Sequence, residues 1–295
     1  MKFGKVDNPQ TIDFRMPNDN PATERLLVTG KSKALEVYVG CAKWNKQELK
    51  GFYPKGTKDE LRYYATQFNA IELNATFYQL FAGDQFEKWY AKTPAEFKFF
   101  PKLIQDISHN KRLESDVFMI VQEFLRNAVY LKEKLGTIFL QMPISFDPTQ
   151  INKLYQFIKA WPSNISLAVE LRHPDWYNDD LLATLGTFLE QFNIALIITD
   201  TAGRRDMLHM RLTNKEAFIR FVGSNHVSDY MRLDDWVERL ARWKTQGLEK
   251  LHFFIHQHIE KESPLLASYF IQKLNMRLQL DLSLPTDHSK TLRLF

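Results

Sequence analysis

Short apolar runs of strand length recur along the whole chain, and most of them are separated by stretches with helical periodicity. Most runs end on polar or charged side chains, which is typical of parallel strands that are connected by helices. Eight such runs predict a strand–helix unit repeated eight times, which is the plan of an α/β fold of the (β/α)₈, or TIM barrel, type. The runs are Val37–Lys43, Ala70–Phe77, Phe97–Ile104, Thr137–Pro143, Leu167–His173, Ile194–Thr201, Phe218–Gly223 and Leu251–Gln257.

The barrel is predicted to occupy residues 37–279, with an extension on each side. Residues 1–36 contain Pro9, Pro17 and Pro21 without a regular period, so we predict an irregular N-terminal extension. Residues 280–295 are predicted to form a C-terminal tail that packs on the barrel or trails from it. Between Thr201 and Phe218 no helical period is present, so the sixth crossover is predicted to be short or irregular.

Polar side chains two positions apart share one face of a strand. In the second run Glu72, Asn74 and Thr76 share a face opposite an apolar set, and in the fifth run Glu170 and Arg172 do the same. Because the apolar set is expected to pack on the surrounding helices, the polar set is predicted to point into the barrel. The same argument turns further side chains inward, namely Lys102, Gln141, Arg220 and His256.

The carboxyl ends of the strands form the active-site face of such a barrel, which makes these inward residues candidates for function. Glu72 and Glu170 are predicted to be acid–base catalysts. Arg172, Arg220 and Lys102 are predicted to clamp a phosphate or carboxylate group. Trp44 follows the first strand and is predicted to stack on a flat or sugar-like ligand. The remaining predicted ligand-binding residues are Asn74, Gln141 and His256. An ion network that only fixes the barrel interior is the alternative interpretation.

Composition narrows the function classes. The chain has 295 residues, a formal charge of +4 from 39 basic and 35 acidic side chains, and one cysteine. The mild charge supports nucleic-acid binding only weakly, and no apolar stretch is long enough to predict a membrane span. A single cysteine and the lack of a signal-like N-terminus predict a cytoplasmic protein. Glycine-rich phosphate loops are absent, the cofactor and oligomeric state are unknown, and no metal ligand is predicted.

Several motifs, in order along the chain, resemble those of the YecE-like family (domain of unknown function 72). They are Gly40–Trp44, Gly51–Pro54, Glu72–Tyr78, Phe97–Phe99 with Lys102, Ser108–His109, Gln141–Pro143, Val169–His173 with Trp176, and Ile219–Gly223 with Tyr230 and Trp236. The resemblance implies a TIM barrel and supplies candidate site residues without a reaction. Two segments depart from the family pattern, Cys41–Lys43 in the first strand and His256–His258 at the end of the last.

Three functions stay open at this point. The leading one is an enzyme that binds a small anionic ligand at the carboxyl-terminal mouth of the barrel and uses Glu72 and Glu170 for proton transfer. The second is a metal-dependent hydrolase or isomerase that acts on a phosphorylated sugar or nucleic acid through Glu170, Asp200 and His256. The third is a non-catalytic ligand-binding barrel. The sequence does not decide whether the protein is an enzyme.

Overall fold

The computed structural model describes residues 3–28 and 34–286. Within these ranges all eight apolar runs contain strands, and the sixth run contains two strand segments separated by Ile197. The strands are β1 Glu36–Cys41, β2 Ala70–Leu73, β3 Lys98–Pro101, β4 Ile138–Gln141, β5 Leu167–Glu170, β6 Ala195–Leu196, β7 Ile198–Thr201, β8 Glu216–Gly223 and β9 Lys250–Gln257.

Helices connect most of these strands, and several begin at caps that can be read in the sequence. Asp59 precedes the second helix and accepts a hydrogen bond from the backbone N–H of Arg62, while Asn178 accepts one from Asp180. The helices are α1 Pro21–Val28, α2 Glu60–Gln67, α3 Ala75–Tyr78, α4 Gly83–Ala91, α5 Val117–Ala128, α6 Ile151–Ala160, α7 Asp179–Gln191, α8 Ser228–Gln246 and α9 Ser263–Leu278. In the described part of the chain, none of them is both long and apolar enough to cross a membrane.

The described strands pair in parallel and form three sheets. One has the order β1-β9-β8-β7, one contains β2-β3, and one has the order β4-β5-β6. Two isolated parallel bridges, Phe99 to Leu135 and Lys102 to Phe139, connect β3 with the β4 segment. The architecture is therefore α/β with parallel sheets, and the described residues do not form one continuous closed ladder.

Side chains join β1 to β2 where no strand ladder forms. Asn69 Oδ1 accepts from the Val39 N–H at 2.9 Å, and Asn69 Nδ2 donates to the Val37 carbonyl at 2.8 Å. Tyr64 Oη accepts from the Cys41 N–H at 2.7 Å and donates to the Ala70 carbonyl at 3.1 Å. The strands approach closely here, because a Cβ on Gly40 would lie 2.1 Å from the Ala70 oxygen. These hydrogen bonds satisfy backbone groups that a ladder would otherwise pair.

Apolar side chains form two separate clusters around the strands. The larger one lies between the strands and the helices and includes Ile71, Leu140, Val169 and Ile219. The smaller one collects alternate strand positions on the opposite face, as expected from the two-residue period. It consists of Ala70, Phe100, Phe139, Ala168, Ala195, Ile197, Phe218 and Phe254.

Strand alternation does not extend through the second run. The strand ends at Leu73, and Asn74 has helical backbone angles of φ −75° and ψ −15° ahead of α3. The prediction that Asn74 and Thr76 share a strand face with Glu72 is therefore wrong. Thr76 instead donates its hydroxyl to the Leu73 and Lys102 carbonyls, which ties the short helix to the ends of both strands.

The N-terminal extension is not wholly irregular in its described part. It contains α1 and a 3-10 turn at Pro9–Thr11. Asn20 caps α1 by accepting from the Ala22 N–H, and a proline at the first helical position suits that turn. Parts of both predicted extensions, residues 1–2, 29–33 and 287–295, lie outside the described residues. The domain bounds at 36 and 279 stay a prediction.

The sixth crossover is short, as predicted from its lack of period. A single 3-10 turn, Arg205–Met207, lies between β7 and β8. The loop packs against the N-terminal extension, since the Gly203 N–H donates to the Gly4 carbonyl at 2.9 Å.

Candidate functional site

Arg220 on β8 is the centre of a buried charged network at the carboxyl ends of the strands. Its guanidinium binds Glu72 of β2 through two hydrogen bonds, Nε to Oε2 at 2.9 Å and Nη2 to Oε1 at 2.8 Å. Its Nη1 donates to Oε2 of Glu170 on β5 at 2.6 Å. His256 on β9 lies 3.0 Å from Glu72 Oε2 through its Nε2 atom. One arginine therefore joins three strands to each other, and His256 joins a fourth.

A chain of polar side chains continues from Glu170 to β3. Gln141 Nε2 donates to Glu170 Oε2 at 3.0 Å, and Lys102 Nζ donates to Gln141 Oε1 at 2.7 Å. Lys102 Nζ also lies 3.8 Å from the centre of the Phe77 ring. The His109 ring packs edge-on against the same Phe77 ring, at 4.9 Å between centroids. Lys102 is thus held by an amide and an aromatic ring.

Arg172 lies at the solvent edge of this network. Its Nε donates to Glu170 Oε1 at 2.7 Å, its side chain is 13% exposed, and the other members of the ion pairs are almost fully buried. Its Nη2 atom is buried and makes no hydrogen bond to the described residues. The Phe3 ring of the N-terminal extension lies over its guanidinium at 3.9 Å. Arg172 therefore has an unused donor at the edge of the cluster.

The structure brings most of the sequence-predicted site residues together. Asn74 Nδ2 donates to Glu72 Oε1 at 2.8 Å, so it joins the network as the residue before α3 and not as a strand residue. Trp44 is placed elsewhere: it packs edge-on against Trp89 at 6.1 Å and lines a surface cavity of about 260 Å³ with Lys58 and Lys92. A stacking role for Trp44 stays a prediction.

Burial and charge act in opposite directions on the two carboxylates. Burial raises the pKa of Glu72, but the interactions with the Arg220 guanidinium and with His256 outweigh it and hold this pKa well below its usual range. In the same way Arg220 and Arg172 overcome burial and lower the pKa of Glu170 to about 2. Both groups are therefore anions at neutral pH.

Lys102 and His109 shift in the direction expected of buried bases. Burial, with the charges of Arg220 and Arg172, lowers the pKa of Lys102 to about 7. Burial, with the charge of Lys102, lowers the pKa of His109 to about 4. Two arginines balance two glutamates, and the partly charged Lys102 makes the cluster net positive at pH 7. This balance suits an anionic ligand.

A second buried ion network, which the sequence analysis did not predict, surrounds Asp200 on β7. Its carboxylate accepts from Arg232 Nη2 at 2.7 Å and from Trp236 Nε1 at 2.8 Å, and it pairs with Arg205. The Phe14 ring lies 4.9 Å from the Arg232 guanidinium, so this network anchors the N-terminal extension.

The predicted metal set is not brought together, because Asp200 binds different partners from Glu170 and His256. Among residues 3–28 and 34–286, no group of three histidine, cysteine, aspartate or glutamate side chains is placed to hold a metal ion. The metal-dependent alternative therefore gains no support from geometry.

Another polar pair missed at the sequence level lies at the opposite, amino-terminal end of the strands. Glu216 on β8 lies 3.0 Å from His252 Nε2 on β9 and accepts from the Thr137 hydroxyl at 2.7 Å. Burial raises the pKa of Glu216, but the interaction with His252 and the hydrogen bond from Thr137 lower it overall. Glu216 lies two residues before the seventh apolar run, Phe218–Gly223, so the strand pattern did not include it. Its pairing with His252 becomes visible only in the structure. The small apolar cluster separates this pair from Arg220.

Known proteins resemble this chain over most of its length. The UPF0759 protein YecE of Escherichia coli (strain K12) is 29% identical over 265 residues, covering 82% of this chain and 94% of the relative. The UPF0759 protein YunF of Bacillus subtilis (strain 168) is 27% identical over 231 residues, covering 72% and 80%.

Solved structures of two proteins share the fold. A DUF72 family protein from Enterococcus faecalis V583 matches with a TM-score of 0.65 at 17% identity, covering 83% of this chain and 98% of that one. A DUF72 family protein from Thermotoga maritima MSB8 matches with a TM-score of 0.62 at 22% identity, covering 81% and 99%. The family model described as "Protein of unknown function DUF72" matches residues 38–289. The chain therefore belongs to the DUF72 family, as the resemblance in its motifs predicted.

Proposed function

We propose that this protein is a (β/α)₈ barrel enzyme that binds a small anionic ligand at the carboxyl ends of its strands. Support for a barrel comes from the parallel pairing of all strands, from the bridges between β3 and β4, and from the side-chain bonds between β1 and β2. The small apolar cluster would then fill the barrel interior below the Arg220 network.

The observation that carries the anion proposal is the position of Arg172. A guanidinium that uses Nε for Glu170 and whose buried Nη2 atom has no partner among the described residues can donate to one further acceptor. A carboxylate or phosphate oxygen satisfies such a donor with a charge-assisted hydrogen bond. Arg220, in contrast, already donates from each of its three nitrogens to Glu72 or Glu170, so its supported role is to hold the two carboxylates in place.

Glu72 and Glu170 act as proton-transfer groups, and the bound ligand activates them. In the structure a pKa of about 2 makes Glu170 a weak base. An anion that takes up the charge of Arg172 removes part of the stabilisation of the Glu170 carboxylate, and this raises its pKa towards a useful range. We also propose a cytoplasmic location, since one buried cysteine cannot form an internal disulfide.

The test is anion-dependent thermal stability. Phosphate, sulfate and pyruvate should raise the melting temperature of the wild type, since binding to the folded state at a hundredfold excess over Kd contributes about 2.7 kcal/mol. That corresponds to a rise of roughly 5 °C for a domain of this size. Arg172→Met should lose the response.

The matched control is Arg126→Met on the exposed side of α5, which should keep the response. An equal rise in the Arg172→Met variant and the wild type would show that the anions bind elsewhere. A ligand that binds but is never converted would favour the non-catalytic alternative.

A further inference from the structure

Lys102 and Lys134 are both buried lysines, but their surroundings differ. Lys134 Nζ donates to the Tyr90 and Thr93 carbonyls at 2.7 and 2.6 Å and to the Thr93 hydroxyl at 3.2 Å, so its hydrogens are used by the scaffold. Lys102 Nζ has one hydrogen bond, to Gln141, and no ion pair with any carboxylate of the described residues. Burying a lysine in this way costs free energy that its single hydrogen bond does not recover.

The surroundings of Lys102 favour the uncharged amine. Lys102 is only 5% exposed, and Arg220 and Arg172 belong to the same network through Gln141 and Glu170. Burial and these two positive charges lower the pKa of Lys102 although its contact with the Phe77 ring face favours the cation. With its pKa near 7, Lys102 has a much larger neutral fraction at pH 7 than an ordinary lysine, of which roughly one in 2,500 is neutral. A neutral amine in a desolvated site is a nucleophile.

We propose that Lys102 is a catalytic residue that forms an imine with the carbonyl carbon of a small anionic ligand. This inference rests on the proposed function, because the ligand's carboxylate or phosphate is the anion that Arg172 binds. The ligand class is therefore a carbonyl compound with a nearby acidic group, which includes 2-oxo acids and phosphorylated ketones and aldehydes.

Imine formation between the Lys102 amine and the ligand carbonyl needs no further reactant. The amine nitrogen attacks the carbonyl carbon to give a carbinolamine, and the C–O bond then breaks as the C=N bond forms. The two hydrogens of the neutral amine leave with the carbonyl oxygen as water. His109 packs on the Phe77 ring that Lys102 contacts, and its low pKa keeps it neutral at pH 7, able to accept or relay a proton.

The test is reductive trapping on the full chain. The protein is incubated with pyruvate, dihydroxyacetone phosphate or acetone, and sodium borohydride then reduces any imine to a stable secondary amine. Intact mass and peptide mapping locate the adduct. We expect one adduct per chain, on Lys102, with at least one anionic probe. Comparing the adduct yields with pyruvate and with dihydroxyacetone phosphate distinguishes a carboxylate ligand from a phosphate ligand.

Three variants sharpen the test. Lys102→Arg keeps a cation and should keep the phosphate response in melting temperature while losing the adduct, whereas Lys134→Met should keep both. Arg172→Met removes a charge near Lys102 and so affects labelling by every probe. It should lower the yield with the anionic probe about tenfold or more beyond any change in the yield with acetone, because only the anionic probe loses a charge-assisted hydrogen bond.

The outcomes separate this inference from the proposed function. Adducts spread over many lysines, or no adduct in a wild type that phosphate does stabilise, would overturn the imine and leave the anion site standing. Neither stabilisation nor an adduct would overturn both. Peptide mapping of the wild type shows whether Lys102 carries the adduct, even if a Lys102 variant fails to fold.

Discussion

Replacing Glu170 with glutamine should lower the free energy of unfolding, because Glu170 is a central acceptor of the Arg220 network. The carboxylate is fully buried and accepts from Arg220 at 2.6 Å, Arg172 at 2.7 Å and Gln141 at 3.0 Å. A glutamine keeps the shape, but its NH₂ group faces a donor where an acceptor is required. Two arginines also lose their shared counter-charge. Breaking a buried pair in this way costs about 3–5 kcal/mol of unfolding free energy.

The pKa of Glu170 leads to a similar magnitude. It falls from 4.5 in a free side chain to about 2 in the folded protein, which corresponds to about 3 kcal/mol of stability. Because the folded pKa is the lower one, this contribution is fully present above about pH 4.5 and is lost as the pH falls towards 2. The variant should therefore lose that part of the acid dependence.

The assay is urea unfolding of wild type and Glu170→Gln at pH 7 and pH 4. The control is Glu238→Gln, since Glu238 pairs with Arg277 on the surface and should change stability by less than about 1 kcal/mol. Adding Arg172→Met to Glu170→Gln should recover part of the loss, because one uncompensated charge is removed. A loss below about 1 kcal/mol for Glu170→Gln alone would refute the reasoning and favour a functional over a structural role for Glu170.

Three further changes test other parts of the structure. Asn69→Ala removes both side-chain bonds between β1 and β2 and should cost about 2–4 kcal/mol in urea unfolding; a loss under about 0.5 kcal/mol would contradict that role. Phe3→Ala should cost about 0.5–1 kcal/mol of cation–π contact with Arg172 yet enlarge the phosphate-induced melting shift; a smaller shift would show that Phe3 helps to bind the anion. Asp200→Asn removes the carboxylate that Arg232 and Arg205 share and leaves Arg232 with Asp229 alone, so it should cost about 3–5 kcal/mol and increase proteolysis near Phe14; unchanged proteolysis would separate Asp200 from the extension.

The strand positions and the polar face of most strands follow from the sequence alone. Alternation is local, since successive side chains of a strand point to opposite sides whatever the partner strand. This is why Glu170, Gln141, Arg220 and His256 were predicted on the correct face, and why their lack of apolar character suggested a site. The alternation argument failed at Asn74 because the chain turns into a helix after Leu73, and four residues of strand carry too little pattern to show the change.

The tertiary structure alone decided which polar groups pair. Glu72 and Arg220 are 148 positions apart and lie on strands of different sheets, so their double hydrogen bond depends on how the sheets pack together, which no local period encodes. The same holds for Asp200, whose partners come from α8 and the sixth crossover, and for Phe3 over Arg172. The low pKa of Lys102 likewise arises from burial against Phe77 and from two arginines of distant strands. Sequence fixes which faces are polar through local geometry, whereas protonation, pairing and accessibility depend on distances that exist only after folding.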